Sequence, residues 1–309
     1  TYLPTGRDLV RLSNSVSSRR SSTIYAGPDF DAGPETDVRA RNQFRPLLHA
    51  HTEAQSIASI LPDASVHEGA RATEAAIKAL KAPNILHIST HGFFAEDDFA
   101  LHQSPDKEVP WFENPLSRSG LAFAGANRNG VGEQDGLLTA LEVSQLDLHG
   151  TKLVVLSACD TGNGQVENGD SVYGLRRAFA IAGAEAIVMS LWHVEGRATT
   201  ALVESYYQGL SECHGRADAL RQAQLAILHS PDHVHPYYWS GFIMSGDDRP
   251  LVMQSGDPTF CRITPGCGRC TVGLANETDR FGWLNVLLVG ALIGLRRHRT
   301  NVVGCLRSN

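Results

Sequence analysis

The sequence predicts an α/β fold around a mostly parallel β-sheet, and two observations carry that prediction. Three runs, NILHIST (84–90), KLVVLSA (152–158) and AIVMSLW (186–192), are nearly continuous apolar stretches rich in β-branched residues. Strands buried on both faces have this composition. Segments with apolar residues at helical spacing separate the runs, and strands that alternate with helices are typical of a parallel sheet.

The other elements follow from local spacing and turn residues. Asp170 is suited to cap a helix that Gly183 ends, and 93–135 holds so many Gly, Pro, Asn and Asp residues that it predicts a long insertion. Spacing predicts further strands at 22–27 and within 237–244, and helices at 47–61, 71–81, 136–148, 198–210 and 216–229.

Composition limits the function classes and the domain plan. The chain has 309 residues, of which 42% are hydrophobic and 19% charged, as in globular proteins. Its net charge of −6 gives no electrostatic support to nucleic-acid binding, so no nucleic-acid partner is expected. A change of character near 254 predicts two parts: a globular domain, 1–254, and a tail, 255–309, with a Gly/Cys-containing linker, a short hydrophobic segment and an Arg-rich end.

Two of the predicted strands end on residues that can do covalent chemistry. His91 and Cys159 lie at these ends, and ligands gather at the carboxyl ends of parallel strands. A cysteine nucleophile reacts as the thiolate, and a neighbouring imidazole is the base that generates it. Gly92 has no side chain, so its N–H and that of Cys159 are candidates for an oxyanion hole.

The remaining histidine and cysteine candidates have simpler interpretations. His87 shares a strand face with His91, but no Cys, Asp or Glu completes a metal site, so we interpret it as a hydrogen-bonded support and expect no metal. Cys213 is interpreted as a small buried apolar residue, and the globular part as reduced, because it contains too few thiols for a disulfide framework. Cys267 and Cys270 form one C-x-x-C without the second pair that zinc needs.

Several blocks resemble, in order, those of the CHAT peptidases, bacterial relatives of caspases and separases. They are ILHISTHGFF, NPLSRSGLAFAGAN, DGLLTALEVSQLDL, VVLSACDTGNG, VYGLRRAFAIAGAEAIVMSLWHV, ALRQAQLAIL and HPYYWSGFIMSG, between Tyr2 and Gly246. The resemblance implies a caspase-like three-layer α/β/α sandwich. It also implies a cysteine endopeptidase that hydrolyses peptide bonds through a dyad of Cys159 and His91, without a cofactor.

The same resemblance suggests which residues line the substrate pocket. The position two before the nucleophile and the loop after the next strand line it in caspase-like folds, which implies Ser157, Trp192 and Glu195 here. Where many members read W-x-V-D-D-x-A-T, this chain reads WHVEGRAT, and the missing second acid argues against a strongly basic preference. Asp160 is a candidate either for the pocket or for capping the turn that follows, and the turn is favoured.

The implied partners are a protein or peptide substrate and an activating protein or upstream repeat domain, which many family members carry. The alternative function is a catalytically silent caspase-like scaffold that binds a protein without cutting it. An α/β-hydrolase is disfavoured because the chain lacks a G-x-S-x-G elbow.

The tail leaves localisation open between two expectations. Residues 281–295 form an apolar run followed by arginines, which weakly resembles a bacterial sorting tail. The run is shorter than the roughly twenty residues that span a bilayer. Either the protein is cytoplasmic, or it is anchored to the cell envelope through this segment.

Overall fold

The structure is a computed structural model of the chain. It describes residues 18, 20–33, 44–61, 63–94, 115–128, 134–160, 170–192, 194–251 and 261. At 94, 115, 158–160 and 170–173 it describes the backbone alone. The predicted hydrophobic segment 281–295 and the Cys267–Cys270 pair lie outside the described residues. In the ranges given, no helix has the length and apolar composition needed to cross a bilayer.

The described residues form eight strands and six α-helices. The strands are β1 (Thr23–Pro28), β2 (Ser65–Gly69), β3 (Ile85–Phe94), β4 (Ser119–Ala122), β5 (Leu137–Thr139), β6 (Leu153–Asp160), β7 (Ala186–Ser190) and β8 (Phe242–Gly246). The helices are α1 (Ala50–Ile60), α2 (Glu74–Lys78), α3 (Ala140–Val143), α4 (Asp170–Ala182), α5 (Gly196–Ser211) and α6 (Arg216–Leu228). Short 3₁₀ turns occupy Pro115–Ser117, Ala126–Arg128 and Pro236–Tyr238.

Within these residues the strands form one sheet, in the order β2-β1-β3-β6-β7-β8. All neighbours along this path are parallel except β8, which is antiparallel to β7. β4 pairs antiparallel with the end of β3, and β5 pairs with β4. The predicted α/β class with a mostly parallel sheet is confirmed.

Helices cover both faces of this sheet. Along β6, Leu153 and Val155 pack with α1, α5 and α6, whereas Val154 and Leu156 pack with α2, α3 and α4. Successive residues of a strand point to opposite faces, so this alternation fixes three layers, α/β/α. Positions 157 and 159 therefore continue the face that α1, α5 and α6 cover.

Tertiary pairing overrides helical spacing in segment 136–148, so its prediction as one helix is wrong. Leu137–Thr139 forms β5 against β4, and only Ala140–Val143 is helical. Thr139 and Glu142 form a reciprocal capping box that starts this short helix. β4 itself lies within 93–135, which was predicted as an insertion.

Strand β3 continues past the point where the sequence predicts its end. Gly92, Phe93 and Phe94 remain in the strand because β4 pairs with them. β2, with the sequence SVHEG, was not predicted, since its polar residues lack the composition of a buried strand. It lies at the sheet edge beside β1, where a polar strand is acceptable.

A disulfide joins Cys213 to Cys261, 48 residues further along the chain. The interpretations of Cys213 as a simple apolar residue and of the globular part as reduced are therefore wrong. Pairing partners cannot be read from cysteine spacing alone, which is why this bond was not predicted. The chain divides into two units, Thr1–Thr264 and Pro265–Asn309, while a domain boundary near 254 stays a prediction.

A cluster of acidic side chains lies beside the start of β5. The buried carboxylate of Glu74 accepts from Lys78 and, at 3.0 Å, from the N–H of Gly136. Lys78 also donates to Glu142 at 2.8 Å, so two carboxylates share this one ammonium group. Burial, together with the charges of Glu74 and Glu142, raises the pKa of Asp135 to about 6, against a hydrogen bond from the Leu137 N–H that lowers it.

We expect Asp135→Asn to stabilise the fold at pH 8 and to lose this advantage as the pH falls. The folded state binds the Asp135 proton more tightly than the unfolded state does. Proton binding therefore stabilises the fold below pH 3.8, and this stabilisation is lost as the pH rises through about 6. With allowance for partial exposure, the gain at pH 8 is on the order of 1–2 kcal/mol. Urea unfolding at pH 4, 6 and 8, with exposed Asp232→Asn as control, measures it; a gain of the same size at pH 4 would contradict it.

Candidate active site

The backbone brings His91 and Cys159 to neighbouring positions. β3 and β6 are adjacent and parallel, and in their register Ser89 pairs with Ser157 and His91 with Cys159. Paired residues of parallel strands lie on the same face of the sheet, here at the carboxyl ends of both strands. The two residues predicted to form the dyad are thus adjacent in the backbone, and the dyad itself stays a prediction.

The His91 ring contacts a backbone carbonyl oxygen and two aromatic rings. Its Nε2 lies 2.7 Å from the carbonyl oxygen of Arg45, and the residue is 7% exposed. Ring centroids of Phe30 and Phe44 lie 5.1 Å and 5.8 Å from that of His91. Because a carbonyl only accepts, Nε2 carries the hydrogen, and in the neutral ring Nδ1 carries the lone pair. Nδ1 is therefore the nitrogen suited to act as a base.

Asn127 fixes both segments that pack on His91, and sequence reasoning missed it. Its side chain accepts from the Phe44 N–H at 2.9 Å and donates to the Phe44 carbonyl at 2.8 Å. The backbone N–H of Asn127 donates to the Phe30 carbonyl at 2.9 Å. Asn127 is 1% exposed, so these bonds act in a buried setting. It is a positioning residue, whose partners lie too far along the chain for a local pattern to reveal it.

Gly92 lies between two strands, paired with Leu121 of β4 on one side and Asp160 of β6 on the other. Its backbone is therefore part of the sheet, one residue beyond His91. The oxyanion roles of the Gly92 and Cys159 amides stay predictions. Asp160 is the last residue of β6, and the turn it was expected to cap, 161–169, lies outside the described residues.

A buried hydrogen-bond chain lies beneath this strand end. Ser157 Oγ donates to Glu53 Oε2 at 3.2 Å, and Glu53 Oε1 lies 2.9 Å from His87 Nε2. His87 Nδ1 in turn lies 3.2 Å from the Tyr207 hydroxyl. His87, expected as a hydrogen-bonded support, is thus bonded at both ring nitrogens and fully buried. In the part of the chain that the structure describes, no group of three His, Cys, Asp or Glu residues could hold a metal ion.

Trp192 and Glu195, the two pocket candidates on the loop after β7, both have structural partners. Trp192 Nε1 donates to the Tyr237 carbonyl at 3.0 Å, and Gly241 packs against its ring. The Glu195 carboxylate caps α5 by accepting from the Ala198 N–H at 2.9 Å. Burial alone would raise the pKa of Glu195, but this bond, a second from the Arg197 N–H and two nearby histidines lower it. Their roles as pocket residues remain predictions.

A mostly parallel sheet between two helical layers places the chain in the class of three-layer α/β/α folds. Within this class the chain belongs to the CHAT domain family, whose model matches residues 1–247. The predicted family is therefore confirmed.

Two curated relatives are animal proteins. Human tetratricopeptide repeat protein 28 is 28% identical over 246 residues, which cover 76% of this chain and 10% of the relative. Mouse tetratricopeptide repeat protein 28 is 36% identical over 119 residues, which cover 38% of this chain and 5% of the relative. The chain thus spans a tenth or less of the length of these relatives, and a bacterial source stays a prediction.

Two solved structures also resemble the chain. The crystal structure of the Arg-specific cysteine proteinase gingipain R matches with 13% identity and a TM-score of 0.46, over 79% of this chain and 52% of that one. The complex of the Porphyromonas gingivalis RgpB pro- and mature domains matches with 14% identity and a TM-score of 0.48, over 79% and 53%.

Proposed function

We propose that this chain is a cysteine endopeptidase that cuts a protein substrate by means of Cys159 and His91. The observation that carries the proposal is the register of β3 and β6, which pairs these two residues at the carboxyl edge of the sheet. The hydrogen bond from His91 Nε2 to the Arg45 carbonyl supports it, because it leaves Nδ1 as the basic nitrogen of a neutral ring.

The proposed reaction has two half-reactions. His91 Nδ1 takes the thiol proton of Cys159, and the thiolate sulfur forms a bond to the scissile carbonyl carbon. The oxyanion accepts hydrogen bonds from the Gly92 and Cys159 amides. As the C–N bond breaks, the imidazolium gives its proton to the leaving amine, and a thioester remains. His91 then takes a proton from water, and the hydroxide attacks the thioester. The C–S bond breaks to release the acid, and the imidazolium returns its proton to the sulfur to restore the thiol.

The substrate and its delivery form the second part of the proposal. The human and mouse relatives are named for tetratricopeptide repeats. We infer that repeats of this kind, or a separate activating protein, bring a protein substrate to the CHAT domain. The alternative, a silent scaffold, would keep this binding role without the reaction.

Proteolysis by the whole chain is tested by a search for new N-termini. The chain, residues 1–309, would be used either untreated or after treatment with iodoacetamide, and each form would be incubated with a denatured proteome. Mass spectrometry would then identify new N-termini and alkylated cysteines. We expect new N-termini only with the untreated chain, and alkylation of Cys159 faster than of Cys305. Cleavage that survives alkylation of Cys159 would rule out the thiol mechanism. No cleavage, together with alkylation of Cys159 no faster than of Cys305, would favour the scaffold.

A further inference from the structure

The disulfide between Cys213 and Cys261 closes a region that hydrogen bonds already hold together. Arg216, the first residue of α6, is 3% exposed and binds the segment that follows β8. Its backbone N–H donates to the Asp248 carbonyl at 2.8 Å, and its Nη1 donates to the Asp247 carbonyl at 2.8 Å. The segment after β8 is therefore attached to the start of α6 without the covalent bond.

Two further contacts continue this attachment along the chain. Gly215 and Pro250 form an antiparallel bridge. Leu251 is 3% exposed and packs in the apolar cluster that α1, α5 and α6 share. Reduction of the disulfide would leave these contacts in place, so its effect should be confined to the surroundings of Cys213 and Cys261.

Both cysteines have a backbone conformation that L-residues rarely adopt. The φ of Cys213 is +65° and that of Cys261 is +36°. Among the described residues other than glycine, only Ala82 also has a positive φ. A left-handed φ costs an L-residue a factor of about 5 to 30 in the folding equilibrium. The disulfide thus joins two residues whose backbone conformation is unfavourable.

The two cysteines differ in what maintains this conformation. Cys213 follows the end of α5, and its N–H donates to the Leu210 carbonyl at 3.1 Å, a helix-end bond that does not involve the sulfur. The bond that Cys261 makes with the described residues is the disulfide. We therefore expect reduction to relax the backbone of Cys261 and to leave that of Cys213 unchanged. Strained disulfides are reduced more easily than unstrained ones and are typical of regulatory bonds.

Cys213 carries the sulfur that a thiol in solution can reach. Cys213 is half-buried, whereas Cys261 is 5% exposed and packs in the apolar cluster of α1, α5 and α6. The rate of thiol–disulfide exchange depends on access to the sulfur that is attacked. Attack on Cys213 makes Cys261 the leaving thiol, so the buried cysteine is the one that loses its attachment.

We propose that this disulfide is a reversible redox switch. A low-molecular-weight thiol opens it at Cys213, which releases Cys261 from the face that α1, α5 and α6 cover and leaves the rest of the fold intact. The inference involves neither Cys159 nor His91, so it stands or falls independently of the proposed peptidase.

The reaction with glutathione needs no other reductant. A glutathione thiolate bonds to Cys213 Sγ, the S–S bond breaks, and its electron pair goes to the Cys261 sulfur, which takes a proton. A second glutathione thiolate bonds to the sulfur of the attached glutathione and displaces the Cys213 thiolate, which also takes a proton. One protein disulfide and two glutathione thiols thus become two cysteine thiols and one glutathione disulfide. Glutathione disulfide reverses both steps.

The test measures this exchange in the native full chain. Residues 1–309 would be incubated without denaturant at several ratios of reduced to oxidised glutathione, free thiols would be alkylated with iodoacetamide, and mass spectrometry would locate each modification. As the ratio rises, we expect alkylation of both Cys213 and Cys261, with the transient glutathione adduct on Cys213. The disulfide should return when the ratio is reversed, and far-UV circular dichroism should stay unchanged throughout.

Cys213→Ser isolates the released state, because it removes the bond and keeps a side chain of similar size. Without denaturant, we expect Cys261 in this variant to be alkylated at a rate within about threefold of that of Cys305. Cys261 is 5% exposed in the fold. If it stays protected from iodoacetamide in the variant, it is not released, and the inference is overturned.

Urea unfolding of oxidised wild type and of Cys213→Ser measures how local the switch is. A disulfide across a separation of 48 residues stabilises a fold by about 10³-fold in the chain-entropy model. Relaxation of Cys261 returns about 5- to 30-fold of this, so the variant's folding constant should fall by only about 30- to 200-fold. Failure of Cys213→Ser to fold would show a purely structural bond and overturn the inference. So would a wild-type disulfide that glutathione reduces only in urea, or one that re-forms with Cys267 or Cys270 in place of Cys213.

Discussion

Cys159→Ala is expected to lower kcat/KM for peptide cleavage by at least about 10⁴-fold, because it removes the sulfur that bonds to the substrate carbon. His91→Asn alone should lower it by about 10²–10⁴-fold, the usual range for loss of a general base. The double variant should be no worse than Cys159→Ala, since residues that act as one unit are not additive. The measurement is kcat/KM on a peptide that spans a cut site found in the search for new N-termini.

The control for the histidine change is His51→Asn, in the exposed part of α1. The His51 side chain is 64% exposed, so its loss should leave kcat/KM within about twofold of wild type. The alkylation rate of Cys159 gives a second readout. It should fall in His91→Asn at neutral pH if His91 generates the thiolate, and His51→Asn should not change it. A His91→Asn enzyme within threefold of wild type would contradict the dyad.

The central sheet could be predicted because its strands carry their own signal. β3, β6 and β7 are buried between two helical layers, so almost every residue is apolar and the runs stand out in the sequence. Apart from His87, the polar residues of these strands lie toward the carboxyl ends, which is why His91 and Cys159 were recognisable. Their pairing in register follows from the parallel order β3-β6, which local patterns alone did not determine.

Elements that depend on distant partners could not be predicted. Leu137–Thr139 is a strand only because β4 lies beside it, and its apolar spacing fits a helix equally well. Asn127 holds Phe44 from 83 residues away, and Glu53 meets Ser157 from 104 residues away. In sequence Glu53 is an ordinary acidic residue in the first turn of α1. Only the fold shows that it faces the sheet.

Gly246→Ala is expected to destabilise the fold by about 3–5 kcal/mol, which would lower Tm by roughly 6–20 °C for a domain of this size. Two effects add. Gly246 has a φ of +100°, a region that costs an L-residue about 1–2 kcal/mol. A Cβ there would lie 2.1 Å from the Glu185 carbonyl oxygen and 2.9 Å from Ala186 Cα, both rigid backbone. β8 must therefore move away from β7.

That movement would also strain the contacts that follow β8. The Asp247 N–H donates to the same Glu185 carbonyl at 2.9 Å, and Asp247 Oδ2 lies 3.4 Å from Nη1 of the buried Arg216. Gly33→Ala separates the two effects, because Gly33 has a φ of +121° but no atom of the described residues within 4 Å of the added Cβ. Urea unfolding of the full chain should show a loss of about 1–2 kcal/mol for Gly33→Ala, from backbone strain alone. If Gly246→Ala loses no more than that, the close approach of β8 to β7 at Glu185 does not contribute to stability.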